Sequence, residues 1–130
     1  MLGCCRDWAC ALQVVDDVLD FSGMSSLMGK PALNDIKAGV VTCPVLFAAE
    51  EHPELLPMIS SKFRSPGDVD RAIELVYKSD ALARTRALAD EYTQRAIANI
   101  DGLGPCGSEH AAEAREALRQ LCRKVVQRQM

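Results

Sequence analysis

The sequence predicts an all-α fold, and three observations carry that expectation. Apolar residues recur at three- and four-residue spacing along most of the 130 residues, hardly any segment alternates at period two, and the breaks fall at Gly, Pro and Ser clusters. With 48% hydrophobic and 25% charged residues, the chain has the balance of one globular unit with a real core.

Ala9, Leu12, Val15, Val18 and Leu19 lie at helical spacing, and nothing interrupts them before Ser22-Gly23, so a first helix is predicted from about Arg6 to Phe21. Gly23 to Leu33, with Gly29 and Pro31, reads as a loop. A second helix is predicted over 35–51 from Ile36, Val40, Cys43, Leu46 and Phe47. Val40-Val41-Thr42 alone favours strand, and Pro44 is expected to kink or interrupt the helix. Pro53 suits the first turn of a short segment reaching Phe63. Ser65-Pro66-Gly67-Asp68 reads as a capping signature for a helix ending near Lys78.

A further helix is predicted from about Ser79 to Ile100, with Leu82, Ala89, Tyr92, Ala96 and Ile100 on its apolar face and Gly102-Leu103-Gly104-Pro105 as its stop. The last helix starts at Ser108 and carries Ala111, Ala114, Leu118, Leu121, Cys122 and Val125 on one stripe. Glu109 and Glu113 near its start and Arg123, Lys124 and Arg128 near its end complement the helix dipole. No internal repeat or low-complexity tract is present.

The formal net charge of −3 gives no field to gather a nucleic-acid backbone or an anionic membrane, so neither partner is expected. The acidic excess is local to the first half, where Asp16, Asp17 and Asp20 cluster. Cys4, Cys5, Cys10, Cys43, Cys106 and Cys122 form no C-x-x-C pair and have no histidine framework, which predicts free thiols in a reducing compartment rather than a disulfide scaffold or zinc site. No apolar run approaches the roughly 20 residues that cross a bilayer, so a soluble chain is expected. The opening Met1-Leu2-Gly3-Cys4-Cys5 fits neither a myristoylation signal nor a transit peptide, and no targeting peptide is read in it.

Asp16, Asp17 and Asp20 fall within about one helical turn, with 16 and 20 stacked on one face. Like charges at this spacing destabilise a helix by a few tenths of a kcal/mol per pair, so something must offset them. Were a helix to start near Asp16, its dipole would suffice. Leu12 and Val15 already belong to the apolar face that continues through Val18 and Leu19, which puts the aspartates inside the helix and favours a bound cation. Mg²⁺ suits such a set, a hard ion taking one or two carboxylates, waters and substrate phosphates. Lys30 beside Gly29 reads either as an ordinary solvated lysine or as a point charge able to reach the same phosphates, and Asp35 either caps its helix or adds a carboxylate. His52 and His110 read as exposed histidines, and Arg115, Arg119 and Arg123 as a solvated stripe or one that pairs with a partner subunit.

The string Gln13-Val14-Val15-Asp16-Asp17-Val18-Leu19-Asp20-Phe21 resembles the second aspartate-rich motif of trans-prenyl diphosphate synthases. Gly29-Lys30-Pro31, Asn34-Asp35, Gly39 and Thr42-Cys43-Pro44 follow in that family's order, and residues 35–55 are most similar to plant and algal solanesyl-type long-chain members. The departures are Leu12, where many members have phenylalanine, and Val40, where many have lysine.

The resemblance implies the C-terminal part of an isoprenoid-synthase helical bundle, a partial polyprenyl synthase domain over 1–130 whose residues 1–5 do not match. It implies a Mg²⁺-dependent prenyltransferase of isoprenoid biosynthesis, in which an allylic diphosphate ionises, isopentenyl diphosphate attacks the cation and a proton leaves. Carried over, Asp16, Asp17 and Asp20 bind Mg²⁺, Lys30 contacts the allylic diphosphate, and Gln13 and Asp35 belong to the substrate site. The family's first aspartate-rich motif and isopentenyl diphosphate pocket precede the position of Gln13 and are not found in this sequence. The isolated chain is therefore expected to be weak or inactive, a homo- or hetero-oligomer with synthase subunits is expected, and the resemblance points to a plastid or mitochondrion. The alternative reading is a non-catalytic subunit that pairs with a full-length synthase, and a third is a helical bundle in which the cluster is incidental.

Overall fold

The computed structural model describes residues 2–22 and 33–128, and among these residues seven helices and no strand are found. They are α1 (Leu2–Ser22), α2 (Asn34–Lys37), α3 (Cys43–Glu51), α4 (Leu55–Ser60), α5 (Asp68–Lys78), α6 (Ala81–Asp101) and α7 (Glu109–Val126). The all-α expectation holds.

The long helices α1 and α6 pack along most of their length and run antiparallel: Asp7 near the start of α1 meets Asn99 near the end of α6, and Ser22 meets Arg86. Small residues make the close approach possible, with Ala11 facing a stripe of Ala81, Thr85, Ala89, Thr93, Ala96 and Ile100, all fully or almost fully buried. The sequence pattern proposed Leu82 and Tyr92 for that face. They flank it, and the buried threonines take the centre because a short side chain fits between two close helices; Thr85 returns its hydroxyl proton to the Ala81 carbonyl. Asp7, 3% exposed, accepts from the Asn99 amide at 2.9 Å, so a buried polar contact ties the two helices in this register.

α7 returns antiparallel to α6, with Val125 packed beside Ala89 and Arg119 bonded to Asp101. Its cap is the predicted one, Ser108, whose hydroxyl oxygen accepts from the Ala111 N–H at 3.2 Å. Of the predicted apolar stripe only Cys122 and Val125 are buried, while Leu118 and Leu121 stay about half exposed. Within the chain Arg119 and Arg123 both pair with Glu116, and Arg115 donates to the Gly104 carbonyl. His110 is exposed beside Glu113 and His52 sits at the end of α3, partly covered.

Around the other end of α1, α2 to α5 build a second core from Phe21, Ile36, Val45, Leu55, Phe63, Leu75 and Val76. The single helix predicted over 35–51 is broken there. α2 ends at Lys37, Gly39 takes φ +78°, Val40 to Thr42 lie outside any helix, and Pro44 stands in the first turn of α3. A left-handed glycine ends a helix and a proline favours the first turn of the next, and together they outweigh the apolar period. Lys62 and Phe63, both at φ +55°, turn the chain after α4 so that the Phe63 ring enters the core. Gly67, at φ +84°, precedes α5, and half of the predicted capping arrangement forms: the Asp68 carboxylate accepts from the Ser65 N–H. The predicted loop over 23–33 lies outside the described residues except for Leu33. No helix among the described residues is long and apolar enough to cross a membrane. All six thiols are free.

Candidate functional site

α1 carries Asp16, Asp17 and Asp20 in its C-terminal half and has no basic residue in its last turn. Negative side chains near the negative end of a helix are doubly unfavourable, repelled by one another and by the exposed carbonyls. The fold compensates each carboxylate from a different direction.

Asp17 points inward and is 6% exposed. One of its oxygens accepts from the Gln13 side-chain amide at 3.1 Å, and the other accepts from the Cys43 backbone N–H at 3.2 Å. Cys43 is the first residue of α3, whose N-cap Thr42 makes no side-chain cap, so Asp17 caps α3 from another helix. Asp20 does the same for α2: its two oxygens accept from the N–H groups of Asn34 at 3.1 Å and Asp35 at 3.3 Å. Leu33, at φ +49°, occupies the N-cap position itself. The capping role that the sequence offered Asp35 thus belongs to Asp20. Asp16 faces solvent, with the Arg128 guanidinium 3.6 Å away.

The negative charges are felt together. Burial pushes the Asp35 carboxyl above its ordinary value, and Asp20, Asp17 and Asp16 add to the rise in that order. Burial and then Asp17 push the Cys43 thiol up, and burial and then Asp20 do the same to the Tyr77 hydroxyl. Four carboxylates therefore share one end of α1, although among the described residues no three acidic, histidine or cysteine side chains converge as a ready-made metal cluster.

Their donor chemistry nevertheless fits Mg²⁺. Each Asp20 oxygen accepts one N–H and retains a second lone pair, and Asp16 stands one turn away on the same face. One or two carboxylates, with water and phosphate oxygens filling the rest of an octahedron, are the usual protein share of such a site. Gln13 is exposed and holds Asp17. Lys30, with Gly29 and Pro31, lies outside the described residues.

Sequence reasoning missed the backbone donors of Asn34, Asp35 and Cys43, which no side-chain pattern announces, and Tyr77, Arg86 and Arg128, which the fold brings to α1 from α5, α6 and the segment after α7.

The family model of polyprenyl synthetase matches residues 3–76. The chain is 52% identical over 116 residues, 89% of its length, to a probable mitochondrial hexaprenyl pyrophosphate synthase of Yarrowia lipolytica. It is 40% identical over 123 residues, 95% of its length, to solanesyl diphosphate synthase 3, chloroplastic/mitochondrial, of Arabidopsis thaliana. It spans 24% and 29% of the length of those two relatives. The apo form of an Arabidopsis medium/long-chain length prenyl pyrophosphate synthase superposes with a TM-score of 0.87 at 39% identity, covering 97% of this chain and 42% of that one. A polyprenyl synthase from Caulobacter crescentus CB15, complexed with calcium and isoprenyl diphosphate, gives a TM-score of 0.71 at 32% identity over 95% of this chain and 38% of its own.

Proposed function

The chain belongs to the polyprenyl synthetase family, and from that membership we propose that it supplies one metal and diphosphate half-site of a trans-prenyl diphosphate synthase. The observation that carries the reading is the pair Asp16 and Asp20, one turn apart at the acidic end of α1, with Asp20 anchored on two backbone N–H groups and lone pairs to spare. The reaction class is condensation of isopentenyl diphosphate with an allylic diphosphate. The C. crescentus relative, seen with a divalent cation and an isoprenyl diphosphate, supports both ligands.

In this reading Asp16 and Asp20 hold Mg²⁺, and Asp17, taken with them as a ligand from the sequence, contributes chiefly by fixing the helix against α3. Bound there, Mg²⁺ neutralises the charge that develops on the departing diphosphate. Lys30 adds a point charge toward the phosphates, Gln13 keeps Asp17 oriented, and Asp35 borders the site as a further carboxylate. The unit 1–130 is then a partial synthase domain, and condensation takes place where a second metal site and the isopentenyl diphosphate pocket complete it, in a homo- or hetero-oligomer with synthase subunits. The mitochondrial and chloroplastic names of relatives support placement in one of those organelles.

A second reading, a non-catalytic subunit that pairs with a full-length synthase, is favoured by one observation: Leu118 and Leu121 remain exposed around an apolar pocket formed by α1, α6 and α7.

Thermal unfolding with Mg²⁺ and a non-hydrolysable allylic diphosphate analogue tests the half-site. A ligand that binds only the folded chain stabilises it by about 2.7 kcal/mol at a hundredfold excess over its dissociation constant. The expected result is a rise in Tm that needs both components and is lost in Asp16→Asn. A folded chain whose Tm ignores them overturns the half-site and leaves the pairing role standing.

A further inference from the structure

The last turn of α1 has more to overcome than an ordinary helix end. Its final carbonyls lack intrahelical donors, its own sequence supplies no basic residue there, and the carboxylate that matters most, Asp20, sits just before the end. Two side chains from other helices close the turn. Tyr77 of α5 donates its hydroxyl to the Phe21 carbonyl and meets the Phe21 ring edge-on, with centroids 6.2 Å apart and planes at 74°. Arg86 of α6 brings its guanidinium to Ser22, Nη2 donating to Oγ at 3.3 Å, while the Ser22 hydroxyl donates to the Val18 carbonyl at 2.8 Å. The Arg86 Nε is buried with no hydrogen-bond partner, so this side chain gives up part of its bonding capacity to hold its charge against the helix end.

The two anchors bracket Asp20. Phe21 follows it directly, and Val18 and Ser22 lie two residues either side. A turn held at both places resists fraying, and from it Asp20 meets the N–H groups of Asn34 and Asp35. We infer that Tyr77 and Arg86 are positioning residues for the Asp20 carboxylate, holding the end of α1 so that Asp20 caps α2 with its inner lone pairs and offers the outer ones to a cation. The cation half of this inference rests on the half-site reading above; the capping half does not.

The experiment uses the ¹⁵N-labelled chain and two readouts. Amide hydrogen exchange at Asn34 and Asp35 reports the setting of Asp20 without any metal. Mn²⁺ titration followed by electron paramagnetic resonance, with inorganic pyrophosphate present, reports the cation site, and Asp16→Asn tests that site itself. Losing one net hydrogen bond corresponds to roughly a three- to tenfold change, so Tyr77→Phe is expected to speed exchange at Asn34 and Asp35 and to weaken Mn²⁺ by about that factor. Arg86→Gln is expected to do the same and Arg86→Lys to recover most of the loss, with exchange at Val15 and Ala89 unchanged. A uniform rise in exchange across the chain, or no change at Asn34 and Asp35, overturns the positioning role. Equal Mn²⁺ binding by wild type and Asp16→Asn removes the cation reading alone, and the exchange data then decide the positioning of Asp20 by themselves.

Discussion

Three clustered aspartates take three different roles. Asp17 is buried and supplies a cap to α3, Asp20 caps α2 while keeping lone pairs free, and Asp16 is exposed beside Arg128. Stability and ligand binding should separate accordingly. Asp17→Ala strands the Cys43 N–H, while the exposed Gln13 amide turns to water, a loss of about 1–3 kcal/mol, reduced by the few tenths that relief of like-charge repulsion returns. Asp16→Asn touches no buried group and should stay within about 0.5 kcal/mol. Urea unfolding of the two variants checks this, and equal effects would mean that the inward and outward aspartates are not distinct. The cluster was legible in the sequence because like charges at one, three and four residues are conspicuous on a helix. Its compensation was not, since the donors are backbone N–H groups 14, 15 and 26 residues away and a backbone N–H has no letter.

At the scale of elements, helices survived as predicted wherever the apolar period and the terminal signals agreed. The predicted helix opening at Ser108 and the one closing at Lys78 are instances, each within a residue of the observed boundary. Where the two conflicted, over 35–51, the terminal signals won. Ile36 and Val40 are separated by a full helical turn in the sequence, yet Ile36 is buried and Val40 is 49% exposed, because Gly39 redirects the chain between them. That makes Gly39 the element-scale test. An added Cβ would stand 3.1 Å from the Lys62 carbonyl oxygen and 3.2 Å from the Lys62 Cβ, at a φ that costs an L-residue about 1–2 kcal/mol. Gly67 has a similar φ of +84° and nothing within 4 Å of an added Cβ. Gly67→Ala should therefore lose the conformational cost alone and Gly39→Ala measurably more, the difference in unfolding free energy being the contact with Lys62. Equal losses would show that the turn after α4 yields freely. A Gly39→Ala chain that keeps its fold should also lose protection at Cys43, since Asp17 reaches α3 only if the connection from α2 is right.

For the whole molecule the question is what lies against α7. Four-residue spacing predicted one continuous apolar stripe along this helix, and the bundle buries only its last part, Cys122 and Val125. Leu118 and Leu121, 46% and 48% exposed, join Cys4, Cys5, Trp8, Ile100 and Cys122 around an open apolar pocket. A sequence period reports that a helix has an apolar face and says nothing of whether the same chain covers it. Contiguous exposed apolar surface of this kind favours association. The chain should sediment with increasing apparent mass as concentration rises, and Leu118→Lys with Leu121→Lys should abolish that rise. Because both side chains are already half in water, the double substitution should leave Tm nearly unchanged, which separates loss of an interface from loss of the fold. If the wild-type chain stays monomeric at all concentrations, the face is not self-complementary; binding to a full-length synthase, lost in the same double variant, then becomes the measurement that discriminates a pairing subunit from an independent half-site. If the variant still associates, the contact lies elsewhere, and the exposed Val40, Leu46 and Leu56 on the opposite end of the bundle are the next residues to change.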